Sequence, residues 1–410
     1  MPDQTTNPYN LLARASLDHC LKCTICETQC PVMAVTPLFP GPKFVGPQAE
    51  RYRHGESVDH SIDYCSSCGT CTLVCPQGVK IAELNSAARA EMKREHMPLR
   101  DQIISRTTLM SKAMRPVAPV ANAVLSFGLA RWTMEKVIGI HRHAAMPVAH
   151  ARTFSGWWKR HQRDPGRPKP TRGKVVFFHG CAGESFEAAT SIMTVEVLEH
   201  IGFEVVVPKQ GCCGLALQSN GLFDAASSYV RTLAEQLSVE PGTPIIASGG
   251  SCAGMLKHEA REIMGVEDEA LVAVGSRVRD VSEFLLELAE QDELPLDFAA
   301  VNETVAYHAP CQLKGQGMGK PAMELFKLIP GLTAVDAEAT CCGIAGTYGF
   351  KKEKYEIAMA VGKPLFDKVL QVNPNLAVCD TETCRWQIAK ATGAEVVHPV
   401  WIYHKAYGLS

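Results

Sequence analysis

From residue 174 onward, short runs of β-branched and aromatic residues alternate with longer stretches whose apolar positions recur at helical spacing. The runs cover residues 175–178, 204–207 and 244–248, then 304–307 and 376–379. Runs this short, bounded by Gly, Pro or charge, read as strands buried on both faces. Between them FEAATSIMTVEVLEHI (186–201) and EKYEIAMAVGKPLFDKVL (353–370) repeat apolar residues every three or four positions and read as helices. Strands alternating with helices predict a parallel α/β layer, once in each half of this region. The halves are copies: KVVFFHGC, KQGCCG and ASGGSC in the first match VAYHAPC, EATCCG and VCDTETC in the second.

In both copies the cysteines follow the apolar runs. Loops leaving the carboxyl ends of parallel strands converge on one crevice, where such sheets hold ligands. The pattern therefore gathers Cys181, Cys212, Cys213 and Cys252 in the first copy, and Cys311, Cys341, Cys342 and Cys384 in the second, with Cys379 five positions before Cys384. Adjacent cysteine side chains diverge unless the backbone bends, and Gly214 and Gly343 permit that bend. His179 and His308 precede the first cysteine at unequal offsets, which favours packed, hydrogen-bonded histidines over ligands. Thr347, Tyr348, Lys351 and Lys352 are candidates to line a pocket, although GIAGTYG reads equally as a tight turn.

The region before residue 174 follows other rules. VKIAELNSAARAEMKREHM (79–97) places Ile81, Leu84, Ala88 and Met92 on one helical side. Between residues 106 and 174 fourteen Lys or Arg face only Glu135 and Asp164, a local charge of +12 within a chain of net charge −2. PVAPVANAVLSFGLARW (116–132) is uncharged as far as Arg131, and Trp132, Trp157 and Trp158 fall in the same region. Basic residues beside apolar ones with aromatics predict a segment lying on an anionic membrane surface. RDPGRPKPTRGK (163–174) reads as a linker. No stretch reaches the roughly 18 uncharged apolar residues of a transmembrane helix.

The overall charge gives no attraction to nucleic acid, and no motif for it is present. The 410 residues, 46% of them hydrophobic, predict a packed multidomain protein. The divisions expected are 1–100, 101–172, 173–300 and 301–410. MPDQTTNPYNLLARAS has neither the basic start nor the apolar run of a signal peptide, so a cytoplasmic location is expected, where thiols stay reduced. Seventeen cysteines there argue for metal or redox chemistry rather than disulfides.

Eight of them form two identical motifs, CLKCTICETQCP from Cys20 and CSSCGTCTLVCP from Cys65, each C-x2-C-x2-C-x3-C-P. This is the two-cluster ferredoxin run, in which three cysteines wrap one 4Fe–4S cube and the fourth crosses to the other. It assigns Cys20, Cys23, Cys26 and Cys75 to one cluster and Cys65, Cys68, Cys71 and Cys30 to the second. Zinc sites use pairs of C-x2-C and have no need of triplets. The 34 residues between the motifs exceed the hairpin of the smallest ferredoxins, so a helical ferredoxin domain is expected.

The C-x(about 30)-CCG-x(about 35 to 40)-C arrangement, with FPGPKFVGPQAERYR (39–53) and CCGIAGTYGFKKEKY (341–355), resembles the cysteine-rich CCG family of heterodisulfide reductase subunits, succinate:quinone oxidoreductase relatives and glycolate oxidase iron–sulfur subunits. Two ferredoxin motifs followed by two CCG domains most resemble the C subunits of anaerobic glycerol-3-phosphate dehydrogenases. The resemblance implies iron–sulfur clusters in the CCG domains, in some members a noncubane pair with five cysteines each. Here Gly249 and Thr381 stand where the fifth would be, leaving four aligned cysteines per copy, enough for a cluster or for zinc. Cys379 is a substitute two residues out of register.

No G-x-G-x-x-G fingerprint follows a strand, so neither flavin nor NAD is expected on this chain, and it is not expected to be catalytic alone. By resemblance it carries electrons from a flavoprotein subunit, with a further subunit present, to membrane quinone. It would sit peripherally on the cytoplasmic face of the inner membrane, in anaerobic glycerol metabolism. Three alternatives remain open: the iron–sulfur subunit of a glycolate or lactate oxidase, a catalytic disulfide reductase, or a non-enzymatic anchor.

Overall fold

The computed structural model describes residues 15–48, 60–94 and 96–409. Residues 1–14 of the stretch inspected for a signal peptide, and residues 49–53 of FPGPKFVGPQAERYR, lie outside these.

The second half holds two four-stranded, all-parallel sheets. The first contains β1 (Lys174–Phe178), β2 (Glu204–Val206), β3 (Ile245–Ala247) and β4 (Val278–Asp280). The second contains β5 (Thr304–His308), β6 (Thr333–Asp336), β7 (Leu376–Cys379) and β8 (Val396–Val397). Their orders, β2-β1-β3-β4 and β6-β5-β7-β8, are the same, as a duplicated unit requires. In each the chain runs outward from the first strand and then crosses to its other side, so a switch point lies at the carboxyl ends of β1 and β3, and of β5 and β7. The strands β4, β6 and β8 were not legible in the pattern, being two to four residues long and interrupted by Arg279 or ended by Asp336.

The sheets share a core. Phe177 and Ile246 of the first and Val305, Tyr307 and Val378 of the second pack with the helices Ala188–His200, Val281–Glu290 and Pro399–Ala406 into one buried cluster. The carboxyl-end loops are pinned as well. Ser251 Oγ lies 3.2 Å from Thr381 Oγ1, and Arg385 and Trp386 each donate to Glu187 at 2.8 Å.

In the first domain both motifs curl in the same way. The residues flanking the second cysteine, Lys22 and Thr24 in one motif and Ser67 and Gly69 in the other, all adopt positive φ, which turns consecutive cysteines inward. A short helix then follows in each, Ile25–Thr28 and Thr70–Leu73. The helix Ile81–Arg94 buries Ile81, Leu84 and Ala88, with Met92 half-buried.

The basic segment is not an unstructured connection. It forms helices Leu99–Ile104, Thr107–Met114, Ala118–Ser126, Gly128–Val137 and Phe154–His161. Trp157 and Trp158 do not serve as interfacial aromatics: Trp158 is buried, Trp157 half-buried, and both pack with Phe154 on the core of the sheets. Arg131 is also withdrawn from the surface, donating to the carbonyls of Arg142 and Ala144. Trp132 remains 44% exposed. Among the described residues no helix is long and apolar enough to cross a membrane.

Candidate metal centres

Cys30, Cys65, Cys68 and Cys71 surround one cavity of about 20 Å³. Cys30 comes from the first motif and the other three from the second. Backbone amides of Met33 and Ser67 point at the sulfurs of Cys30 and Cys65, at 3.5 and 3.4 Å. Burial pushes the Cys30 thiol up to about 12, so it gives up its proton when a metal binds and not otherwise. Cys20 and Cys75 pack beside buried Cys26 around Leu17 and Ile81, while Cys23 is exposed. Four soft donors with inward N–H groups around a small void fit a 4Fe–4S cube.

In the first cysteine-rich copy the sulfurs form a chain, Cys212 3.5 Å from Cys181 and Cys213 3.2 Å from Cys252. Thr107 Oγ1 from the basic segment lies 3.2 Å from Cys181 Sγ. In the second, Cys342 and Cys384 are 2.9 Å apart. Gly214 and Gly343 have φ of +80° and +84°, and each turns its own N–H back onto the sulfur two residues earlier, Cys212 at 3.4 Å and Cys341 at 3.3 Å. Hydrogen bonds from neighbouring thiols, Cys181 and Cys213 for the one and Cys311 and Cys342 for the other, hold both sulfurs well below the ordinary thiol range, aided by these amides. The Cys-Cys-Gly turn thus gives one sulfur in each copy a backbone N–H donor.

The two copies face each other across a cavity of about 170 Å³. Cys181, Cys212, Cys213 and Cys252 line one part and Cys311, Cys341, Cys342 and Cys384 another, and Cys68 of the ferredoxin domain also reaches its wall. Ile104, Thr107, Met110 and Met146 of the basic segment close it. Thr347 lines this cavity, whereas Tyr348 and Lys351 line a smaller one beside Cys65, and Lys352 points to solvent. Glu259 also lines the large cavity, and burial pushes its carboxyl up to about 7.

Some functional groups left no trace in spacing. Asp101, 0% exposed, accepts Lys93 Nζ and Lys351 Nζ, each at 2.8 Å on Oδ2, and Arg100 Nε at 3.0 Å on Oδ1. Lys351 also donates to Asn220 at 2.7 Å, and Lys354 pairs with Asp63 at 2.7 Å. This buried lattice joins the ferredoxin domain, the basic segment and both cysteine-rich copies. His179 is hydrogen-bonded as expected, its Nδ1 2.8 Å from Gly180 O. His308 departs from the expectation: it is buried, and neither ring nitrogen has a hydrogen-bond partner.

Residues 16–79 match the 4Fe-4S dicluster domain family, and residues 175–257 and 305–389 each match the cysteine-rich domain family. The chain is 34% identical to the C subunit of the anaerobic glycerol-3-phosphate dehydrogenase of Escherichia coli K12, over 95% of its own length and 98% of that protein's. It is 26% identical to a fumarate reductase (CoM/CoB) component of Methanothermobacter marburgensis, covering 94% of this chain and 70% of the relative. The glycolate oxidase iron-sulfur subunit of Escherichia coli K12 is 25% identical over 98% of this chain and 96% of its own. Each is named as one part of a larger oxidoreductase. With its dicluster domain, its duplicated parallel sheets and these relatives, the chain belongs to the family of the anaerobic glycerol-3-phosphate dehydrogenase C subunits.

Proposed function

We propose that this chain is the electron-transfer subunit through which a flavoprotein glycerol-3-phosphate dehydrogenase passes electrons to membrane quinone. The observation that carries the reading is the position of Cys68, which bounds the void it shares with Cys30, Cys65 and Cys71 and also reaches the wall of the large cavity that Cys181, Cys212, Cys213 and Cys252 line. Iron–sulfur clusters bound at the cysteine sets would supply one-electron carriers. The protein's own contribution is to hold thiolates, aim amide N–H groups at them and exclude water. Met110, Met146 and Phe186 keep the cavity wall apolar, and the charged lattice locks the domains at one separation.

By similarity to the Escherichia coli relative, the electrons come from glycerol 3-phosphate, giving dihydroxyacetone phosphate, and pass to a quinone of the menaquinone type. Attachment to the membrane is supported by Val120, Val124, Phe127, Leu129 and Val137, each at least half exposed on the helices Ala118–Ser126 and Gly128–Val137 or between them. An apolar surface flanked by Arg115 and Lys136 fits a peripheral position on anionic lipid.

The test uses the complex purified without oxygen. Glycerol 3-phosphate should reduce the EPR-visible clusters of this chain only when its flavoprotein partner is present, and a menaquinone analogue should reoxidise them. Reduction by glycolate or lactate alone would transfer the assignment to another 2-hydroxy-acid oxidase. Turnover of a small disulfide with no quinone reduction would favour the disulfide-reductase alternative.

A further inference from the structure

His308 ends β5, where it is 2% exposed with both ring nitrogens unpaired. A buried polar group without a partner loses its hydration and gains nothing in return, so the position demands an occupant or a reason. One of its nitrogens, Cys342 Sγ and Cys384 Sγ all lie within 4.8 Å of one another. The fourth neighbour comes from the ladder. Cys379 is the register partner of His308 on β7, so the two side chains leave the sheet on the same face, and its thiol hydrogen-bonds with that of Cys384.

The duplication supplies an internal control. In the first copy the corresponding register pair, three residues before Cys181 and five before Cys252, is Phe178 with Ala247. Histidine and cysteine therefore replace phenylalanine and alanine together, at two positions 71 apart in sequence and adjacent in space. The histidine of the first copy, His179, lies one residue later and is occupied by the Gly180 carbonyl.

We propose that His308, Cys342, Cys379 and Cys384 form a closed four-ligand site for one divalent ion of the zinc class, which the first cysteine-rich copy lacks. Three sulfurs and one imidazole nitrogen are a structural zinc set, and bonds of about 2.0–2.3 Å at tetrahedral angles put ligand atoms roughly 3.4–3.8 Å apart. The three grouped atoms lie within 4.8 Å of one another, with the sulfurs of Cys342 and Cys384 2.9 Å apart, so they close on an ion by local adjustment, and Cys379, outside that group, joins them by rotation of its side chain beside Cys384. Four protein ligands fill a tetrahedral ion and leave no open position for substrate, although Cys342 and Cys384 also border the large cavity. The inference rests on the reading of the chain as a metal-carrying electron-transfer subunit. It confines redox clusters to the ferredoxin domain and the first cysteine-rich copy, and leaves Cys311 and Cys341 as a thiol pair beside Cys68.

The experiment measures zinc, iron and acid-labile sulfide on the full chain purified without oxygen, together with variants. Wild type should carry about one zinc per chain. His308→Phe and Cys379→Ala, which install the residues of the first copy, should lose the zinc with iron unchanged, while His308→Cys should keep it. Cobalt substituted into wild type should give thiolate charge-transfer absorption with tetrahedral ligand-field bands, and His308→Cys should shift those bands. Absence of zinc from wild type, zinc unchanged in both deletion variants, or loss of iron and sulfide in their place would overturn the assignment. Failure of the electron-transfer reading registers separately, as an absent ferredoxin EPR signal with zinc intact.

Discussion

Replacing Asp101 by asparagine tests whether the buried charge lattice holds the domains together. The substitution keeps shape and removes one negative charge from a site where Lys93, Lys351 and Arg100 converge. Lys93 retains Asp63 at 2.9 Å, but among the described residues Lys351 keeps only neutral acceptors, Asn220 and the introduced amide oxygen. Leaving a buried ammonium without its counter-charge costs about 3–5 kcal/mol, and the exposed pair Lys363–Asp367 offers a contrast worth about 0.5 kcal/mol or less. Removing the stranded lysine as well, in Asp101→Asn with Lys351→Met, should return much of the loss, giving a coupling of about 1.5 kcal/mol or more. Anaerobic urea unfolding followed by tryptophan fluorescence reads the first transition, and limited proteolysis reads separation of the domains. Burial alone would raise the Asp101 carboxyl, but Lys351 and Lys93 hold it well below the ordinary carboxylate range. The folded value is depressed, so the stabilisation is complete above the unfolded value of about 3.9 and disappears as pH falls through the folded one. Asp101→Asn should therefore flatten the acid limb of stability. A variant within about 1 kcal/mol of wild type at neutral pH, with no coupling to Lys351, would refute the reasoning.

Three other outcomes follow from named contacts. Cys30→Ser and Cys65→Ser should each remove the same EPR signal and about four irons, leaving the signal that Cys20→Ser removes; if Cys30→Ser instead matches Cys20→Ser, the crossed assignment fails. Gly343→Ala places a Cβ 1.8 Å from the Ala358 carbonyl at positive φ, against 3.0 Å from Ala226 O for Gly214→Ala. The first should cost about 2–5 kcal/mol and the second clearly less, by thermal unfolding, and equal losses would contradict the packing argument. Phe127→Asp with Val120→Asp should reduce flotation with anionic liposomes while iron content stays constant; undiminished flotation would show that these helices do not meet the lipid.

The cysteine motifs, the duplication and the strands carrying them were legible because each follows a local rule. Thiolate spacing within a loop and apolar runs of four or five residues need no distant partner to be recognised. The strands β4 and β8 were not, since two or three residues carry no period, and they exist because β3 and β7 template them. Trp157 and Trp158 illustrate the opposite failure: composition made them interfacial, whereas Phe154 and Phe177 offered an apolar wall that no local pattern could announce.

What the sequence determined by itself was the donor chemistry: how many sulfurs, in which loops, and at which bends, with Gly214 and Gly343 marking the turns. The tertiary structure decided which donors meet. Cys30 joins Cys65, Cys68 and Cys71 although 34 residues separate the motifs, and Cys68 reaches the wall of a cavity formed far along the chain. Asp101, in a segment read as linker, became the joint between domains, and His308 met Cys379 across a ladder. Such pairings depend on strand register and on desolvation at shared interfaces, quantities that belong to the folded whole and to no stretch of it.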